Sequence, residues 1–173
     1  MTKSTFVALA ICVLLTSAVP QAAAQTTAAA ESSATRAKAQ HVIDTHIHLY
    51  DPRRPDGIPW PPPDDPVLYK PHLPAEYTSL AKAAGVTGVV VVEASERLED
   101  NMWVLEQMSA DPFYVALVGN IDPYRKDFAE HLNRLRKDKR FVGIRARNAE
   151  AIDYLNPQVL ANFRLMAEAG LSV

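Results

Sequence analysis

Residues 42–49 read Val42-Ile43-Asp44-Thr45-His46-Ile47-His48-Leu49, and a turn-forming Asp51-Pro52 closes them. The stretch is short and β-branched, which predicts a strand. Its polar members Asp44, His46 and His48 alternate, so unbroken alternation puts all three on one side. The same apolar character returns along the chain. Residues 86–92 (VTGVVVV) and Tyr114–Gly119 (YVALVG) are nearly continuous apolar runs, and Phe141–Ile144 (FVGI) is a shorter one. Leu171-Ser172-Val173 reads as the start of another strand. Strands apolar on both faces indicate a parallel sheet covered by helices.

Helices fill the gaps. Residues 74–84 open on Pro74 and end before Gly85, the expected asymmetry of proline first and glycine last. Asp100 is placed to cap residues 101–110, and Pro112 stops their continuation. Residues 126–139 carry Phe128, Leu132 and Leu135 at helical spacing, and residues 157–169 close on Gly170. The strands therefore start near residues 42, 86, 114, 141 and 171, and the later steps are even, as in βα units joined by short loops. The first step is longer because residues 51–74 form an insert holding nine of the thirteen prolines, including Trp60-Pro61-Pro62-Pro63. A proline-rich recognition motif is one reading of that insert. An ordered loop over the C-terminal edge of the sheet is preferred, because the insert directly follows the first strand.

Composition narrows the function classes. Among 173 residues, 18 Lys+Arg face 20 Asp+Glu, a formal charge of -2, so no basic footprint for nucleic acid exists. Hydrophobic residues at 48% are too many for a disordered chain. One cysteine excludes a disulfide framework and a cysteine-built zinc site within one chain. At the start, Lys3, the apolar block from Phe6 to Leu15 and Ala22-Ala23-Ala24 are the three parts of a secretory signal peptide. The block is far short of the ~20 residues that span a bilayer. Residues 1–24 are thus expected to be a cleaved leader, and Ala/Ser/Thr-rich residues 25–40 a flexible tether. The expected product is an exported protein, periplasmic or extracellular, without a membrane anchor after cleavage. The folded domain is residues 41–173.

In βα proteins the C-terminal ends of the strands carry the active site. His46 and His48 lie at that end of the first strand. Two imidazoles at i and i+2 can grip one divalent ion, and zinc suits nitrogen donors, though a catalytic site needs at least one more protein ligand and an open water position. The bland alternative is a pair that packs or hydrogen-bonds. Arg145 ends the fourth strand with Arg147 on the same face. It can hold a substrate carboxylate by two parallel hydrogen bonds, or serve only in a salt bridge. Glu93 ends the second strand and can be a ligand, an acid or base, a substrate hydrogen-bond partner, or simply the partner of a nearby arginine. Asn120 and Asp122 close the third strand, the latter as turn chemistry before Pro123. His41 is expected to be exposed and His131 to be a solvated helix residue, while His72 belongs to the proline-rich loop, with a place at the mouth of the site as one alternative.

Ile43-Asp44-Thr45-His46-Ile47-His48-Leu49-Tyr50-Asp51-Pro52 resembles the opening strand of the amidohydrolase superfamily, in particular its amidohydrolase-2 branch of lactone hydrolases. Residues 89–93, 99–103, 118–123 and 142–145 are similar to that branch in the same order. The resemblance implies a TIM barrel, with His46 and His48 as the metal-binding pair of the first strand. It also implies further histidines from later strands and an aspartate near the last strand that activates water. None of these falls within the chain, so the catalytic base stays unassigned.

A closed barrel takes about 250 residues, so the expectation is an α/β fold forming the N-terminal half of a (β/α)8 barrel, four units and the start of a fifth strand. On this reading the chain is the first part of a longer, metal-dependent hydrolase that opens a lactone or similar cyclic ester. Its partner is a small molecule, for instance a carboxylated lactone. Amide hydrolysis or decarboxylation is the alternative within the superfamily. An inactive fragment or half-barrel binding module is the alternative outside it, and a homo-oligomer is one way to cover open strand edges.

Overall fold

The computed structural model describes residues 41–173. The expected leader and tether lie outside the described residues. Four parallel strands pair in chain order: β1 (Ile43–Ile47), β2 (Gly88–Val92), β3 (Tyr114–Gly119) and β4 (Phe141–Ile144). Helices α1 (Pro74–Ala83), α2 (Asp100–Met108), α3 (Phe128–Leu135) and α4 (Pro157–Glu168) follow the strands in turn. This strict βα alternation is the α/β architecture expected from the sequence. Ser172 adds one parallel bridge to Gly143 of β4, where the fifth strand was expected. Gly143 is required at that bridge, because a Cβ there would collide with the Ser172 carbonyl oxygen.

One face of the sheet is sealed by the helices. Val89, Val91 and Leu117 are fully buried there together with Met108, Phe128, Leu135 and Met166. The other face is open at its N-terminal end, where Ile43 and Val115 are 41% and 44% exposed. Among the described residues no helix is long and apolar enough to cross a membrane.

The helix boundaries differ from the sequence reading most at two places. The third helix was expected over residues 126–139, but α3 covers only Phe128–Leu135. Its flanks are polar, and Asp138 instead binds the Arg140 guanidinium at the entry to β4. Asp100 was expected to cap α2. It is the first residue of that helix, makes no cap hydrogen bond, and gives its carboxylate to Arg54 at 2.6 Å. By contrast α4 is capped as its sequence suggests: the Asn156 side chain accepts from the backbone N–H groups of Gln158 and Val159.

The alternation of β1 also breaks. Asp44 pairs with Val89 and Ile47 with Val91, so three steps on β1 face two on β2. This extra residue is a bulge, and it turns the chain over. Asp44 therefore points to the helix side, where its Oδ2 accepts from the Tyr77 phenol of α1 at 2.5 Å. The expectation that Asp44 shares a face with His46 and His48 is corrected on this point.

Candidate active site

His46 lies within the bulge and His48 just beyond it, and the two rings stand side by side. Their ring centroids are 5.0 Å apart at an interplanar angle of 88°. The bulge frees this end of the strand from a strict ladder, and the Asp44 carboxylate steadies it by accepting from the His46 backbone N–H at 3.1 Å. His48 Nδ1 lies 2.9 Å from the Val92 carbonyl at the end of β2. A carbonyl can only accept, so Nδ1 carries the proton, and in the neutral ring Nε2 keeps its lone pair. Burial lowers the His48 pKa, and the charges of His46, Arg145 and Arg147 add to this against the Val92 hydrogen bond. Burial thus favours the neutral ring, and the Val92 hydrogen bond orients it, the second-sphere arrangement typical of a metal-ligating histidine. Among the described residues no third His, Cys, Asp or Glu joins the pair as a metal-holding group. The two imidazoles fit part of a zinc site and do not complete one.

Beside His48 a cleft of about 260 Å³ is lined by Trp60, Ala94, Arg145 and Arg147. The sequence placed both arginines on one face, and both do line this cleft. Their roles separate clearly. Arg147 donates from Nε and Nη2 to the two oxygens of Glu93 at 2.8 and 2.6 Å. Glu93 is 4% exposed, and its own backbone N–H is fixed by the Val118 carbonyl. Burial pushes the Glu93 carboxyl above its ordinary pKa, while Arg147 pulls it back. Of the alternatives open for Glu93, the arginine-partner arrangement is the one seen. Arg145 is anchored through its backbone N–H to Gly119 and makes no ion pair among the described residues. Its charge is free for a ligand.

The proline-rich insert is an ordered loop over this end of the sheet. Arg54 is clamped between Asp100 and the Trp103 ring, whose centroid is 4.6 Å from its guanidinium carbon. Arg97 donates to the carbonyls of Asp56 and Gly57 at 2.7 and 3.3 Å. Tyr50 and His72 form an antiparallel bridge across the loop's base. Pro61 is fully buried, which disfavours the recognition-motif reading. Trp60 is carried onto the site, with ring centroids 5.6 Å from His48 and 5.7 Å from Tyr50. Sequence reasoning noted Trp60 only inside its proline run and missed Arg54 and Arg97. Nothing local announces an arginine whose partner lies 46 residues away.

His72 lines a second cavity with His48, Glu76 and Tyr77, and its Nε2 is buried without a hydrogen-bond partner. Asn120 and Asp122 turn out to be structural. Asn101 of α2 clamps Asn120 by accepting from its N–H at 2.8 Å and donating to its carbonyl at 2.7 Å. Gly119 is needed beside this clamp, since a Cβ there would strike Asn101 Oδ1. Asp122 accepts from the Tyr124 N–H, as turn chemistry predicts. His41 is exposed as expected. His131 is half-buried on its helix and pairs with the exposed Asp127 at 3.1 Å.

Comparison with known proteins places this geometry. The sequence model of the Amidohydrolase family matches residues 43–173. L-fucono-1,5-lactonase from Burkholderia ambifaria is 32% identical over 103 residues, covering 60% of this chain and 35% of the lactonase. An amidohydrolase from Burkholderia multivorans, crystallised with bound zinc, superposes with a TM-score of 0.66 at 20% identity, over 76% of this chain and 47% of that one. Amidohydrolase 2 from Bifidobacterium longum subsp. infantis superposes with a TM-score of 0.54 at 26% identity, over 76% of this chain and 49% of that one. The chain thus spans about a third of the lactonase and about half of each solved neighbour. The fold is that of four βα units of a TIM barrel. With the family pattern running from Ile43 through the paired histidines to the last residue, the chain belongs to the amidohydrolase family.

Proposed function

We propose that the intact protein, of which this chain supplies the first-strand histidines, is an exported metal-dependent hydrolase that opens a lactone or similar cyclic ester. The observation that carries this is the His46–His48 pair, with His48 Nδ1 hydrogen-bonded to the Val92 carbonyl, which leaves Nε2 of the neutral ring as the donor atom. These two residues would hold a divalent ion, zinc by donor type, which when bound polarises an ester carbonyl and makes water acidic near neutral pH. The lactone is taken from the name of the Burkholderia ambifaria relative, and the zinc accords with that in the Burkholderia multivorans neighbour.

In the reaction the ring acyl C–O bond breaks. The hydroxyl of water goes to the acyl carbon and its proton to the ring oxygen, leaving an open hydroxy acid. Arg145 supplies the free cation that holds a carboxylate or hydroxyl of the substrate. Glu93 and Arg147 neutralise each other and form a fixed polar wall, so the cleft keeps one net positive arm from this pair of arginines.

The test is release of acid from L-fucono-1,5-lactone by the intact protein supplied with zinc. Turnover is expected, with a loss of about 100-fold or more in His46→Ala and in His48→Ala. Equal rates in wild type and both variants would refute the proposal.

A further inference from the structure

We propose that Trp60 is the specificity platform of the site, the surface on which the ring of a cyclic substrate lies while its ester faces the histidine pair. This rests on the lactone reading above and names what selects a ring over an open chain.

Three observations point to it. Trp60 is 38% exposed and lines the same cleft as His48 and Arg145, so its free surface opens where substrate must sit. It is also immobilised. Pro61 beside it is fully buried, and its ring is braced edgewise against His48 and Tyr50. Tyr50 is itself only 5% exposed and donates its phenol proton to the Leu68 carbonyl. Finally, the loop that carries Trp60 is pinned to the scaffold at Arg54–Asp100 and at Arg97–Gly57, so the indole is a wall and not a swinging lid.

The free part of the indole offers an apolar surface to whatever enters the cleft. Its electron-rich face suits C–H groups that carry a partial positive charge. A sugar-derived lactone presents such a face: its ring C–H bonds line one side while hydroxyls project around the rim. Arg145, on the same cleft, is the group suited to those rim oxygens. The pair therefore reads a ring with one apolar face and a polar edge. An open-chain hydroxy acid has the polar groups but no flat apolar face, so it gains from Arg145 and not from Trp60. That difference favours binding of the cyclic substrate over the opened product.

Isothermal titration with L-fucono-1,5-lactam measures the contact directly. In this probe a ring N–H replaces the ring ester oxygen, and the amide resists opening. Trp60→Ala and Trp60→Leu are expected to weaken lactam binding about tenfold, and Trp60→Phe to stay within about threefold of wild type. Open-chain L-fuconate is expected to change by less than about twofold in all three. Lactam binding unchanged in Trp60→Leu overturns the platform and leaves the lactone reading standing. Equal losses for lactam and L-fuconate overturn it as well, since the indole would then only shape the loop. If wild type fails to bind the lactam at millimolar concentration, the lactone reading falls and the platform falls with it. Should the alanine variant unfold by circular dichroism, the Leu and Phe variants carry the comparison.

Discussion

Arg145 and Arg147 sit two residues apart and line one cleft, yet the chain treats them differently. Arg147 is bound at two points by a buried carboxylate, and Arg145 is left to solvent and ligand. Removing them should have opposite signatures. Arg147→Ala strands the Glu93 carboxylate in a buried place and should cost about 2 kcal/mol of stability at neutral pH, read by urea unfolding. The penalty should shrink on acidification. Burial already holds the folded-state pKa of Glu93 above its ordinary 4.5, and losing Arg147 removes its main opposing force. Such a group stabilises the fold most when protonated, and that stability is lost as pH rises from about the ordinary value upward. Arg145→Ala should leave stability within about 0.5 kcal/mol of wild type and instead raise KM for the lactone. A stability loss in Arg145→Ala equal to that in Arg147→Ala would contradict this division. Sequence spacing put both arginines on the correct face. It could not say which one Glu93 takes, because that depends on the reach of a side chain 54 residues away.

At the scale of elements, β1 shows how a single inserted residue decides chemistry. Without the bulge, Asp44 would crowd the histidine pair. With it, Asp44 turns to α1 and fastens that helix through Tyr77, while His46 and His48 remain on the open face. The strand itself was legible in its β-branched residues, and so were the position and direction of β2, β3 and β4 in their apolar runs. The bulge was not, since it is a property of pairing with β2 and leaves no mark in the alternation of β1. Tyr77 provides a check. Burial, helped by the Asp44 hydrogen bond and charge, pushes its phenol up to about 12 from an ordinary 10. The neutral form is favoured in the fold, so the associated stability is complete below pH 10 and is lost as pH rises from 10 toward 12. Ultraviolet titration of tyrosinate should show a late step near that upper value that disappears in Tyr77→Phe. A profile identical to wild type in that variant would mean the Asp44–Tyr77 contact does not form.

For the described domain as a whole, the βα repeat gathers the ends of β1, β2 and β4 and the long first loop at one rim, and every candidate site residue lies there. The sequence conveyed this much through the even spacing of its strands and the proline insert after the first. The tethering of that insert was hidden, because Arg54 and Arg97 act on partners brought close only by folding. The Arg54–Asp100 pair joins the loop to α2 with little solvent around it, the side chains being 17% and 9% exposed. Asp100→Ala should leave the guanidinium buried against Trp103 without an anion and cost about 3 kcal/mol. The double change Arg54→Met with Asp100→Leu should recover most of that loss, since it removes both charges. Thermal melts distinguish the two outcomes, and a double variant as unstable as Asp100→Ala would show that the loop is held by something else.

Zinc uptake by the intact protein tests the role of the histidine pair most directly. Equilibrium dialysis against zinc, followed by metal analysis, should find the ion retained by wild type and lost from both His46→Ala and His48→Ala, with each variant folded by circular dichroism. Retention of zinc by the two variants at the wild-type level would contradict the claim that this pair is the metal-holding part of the site.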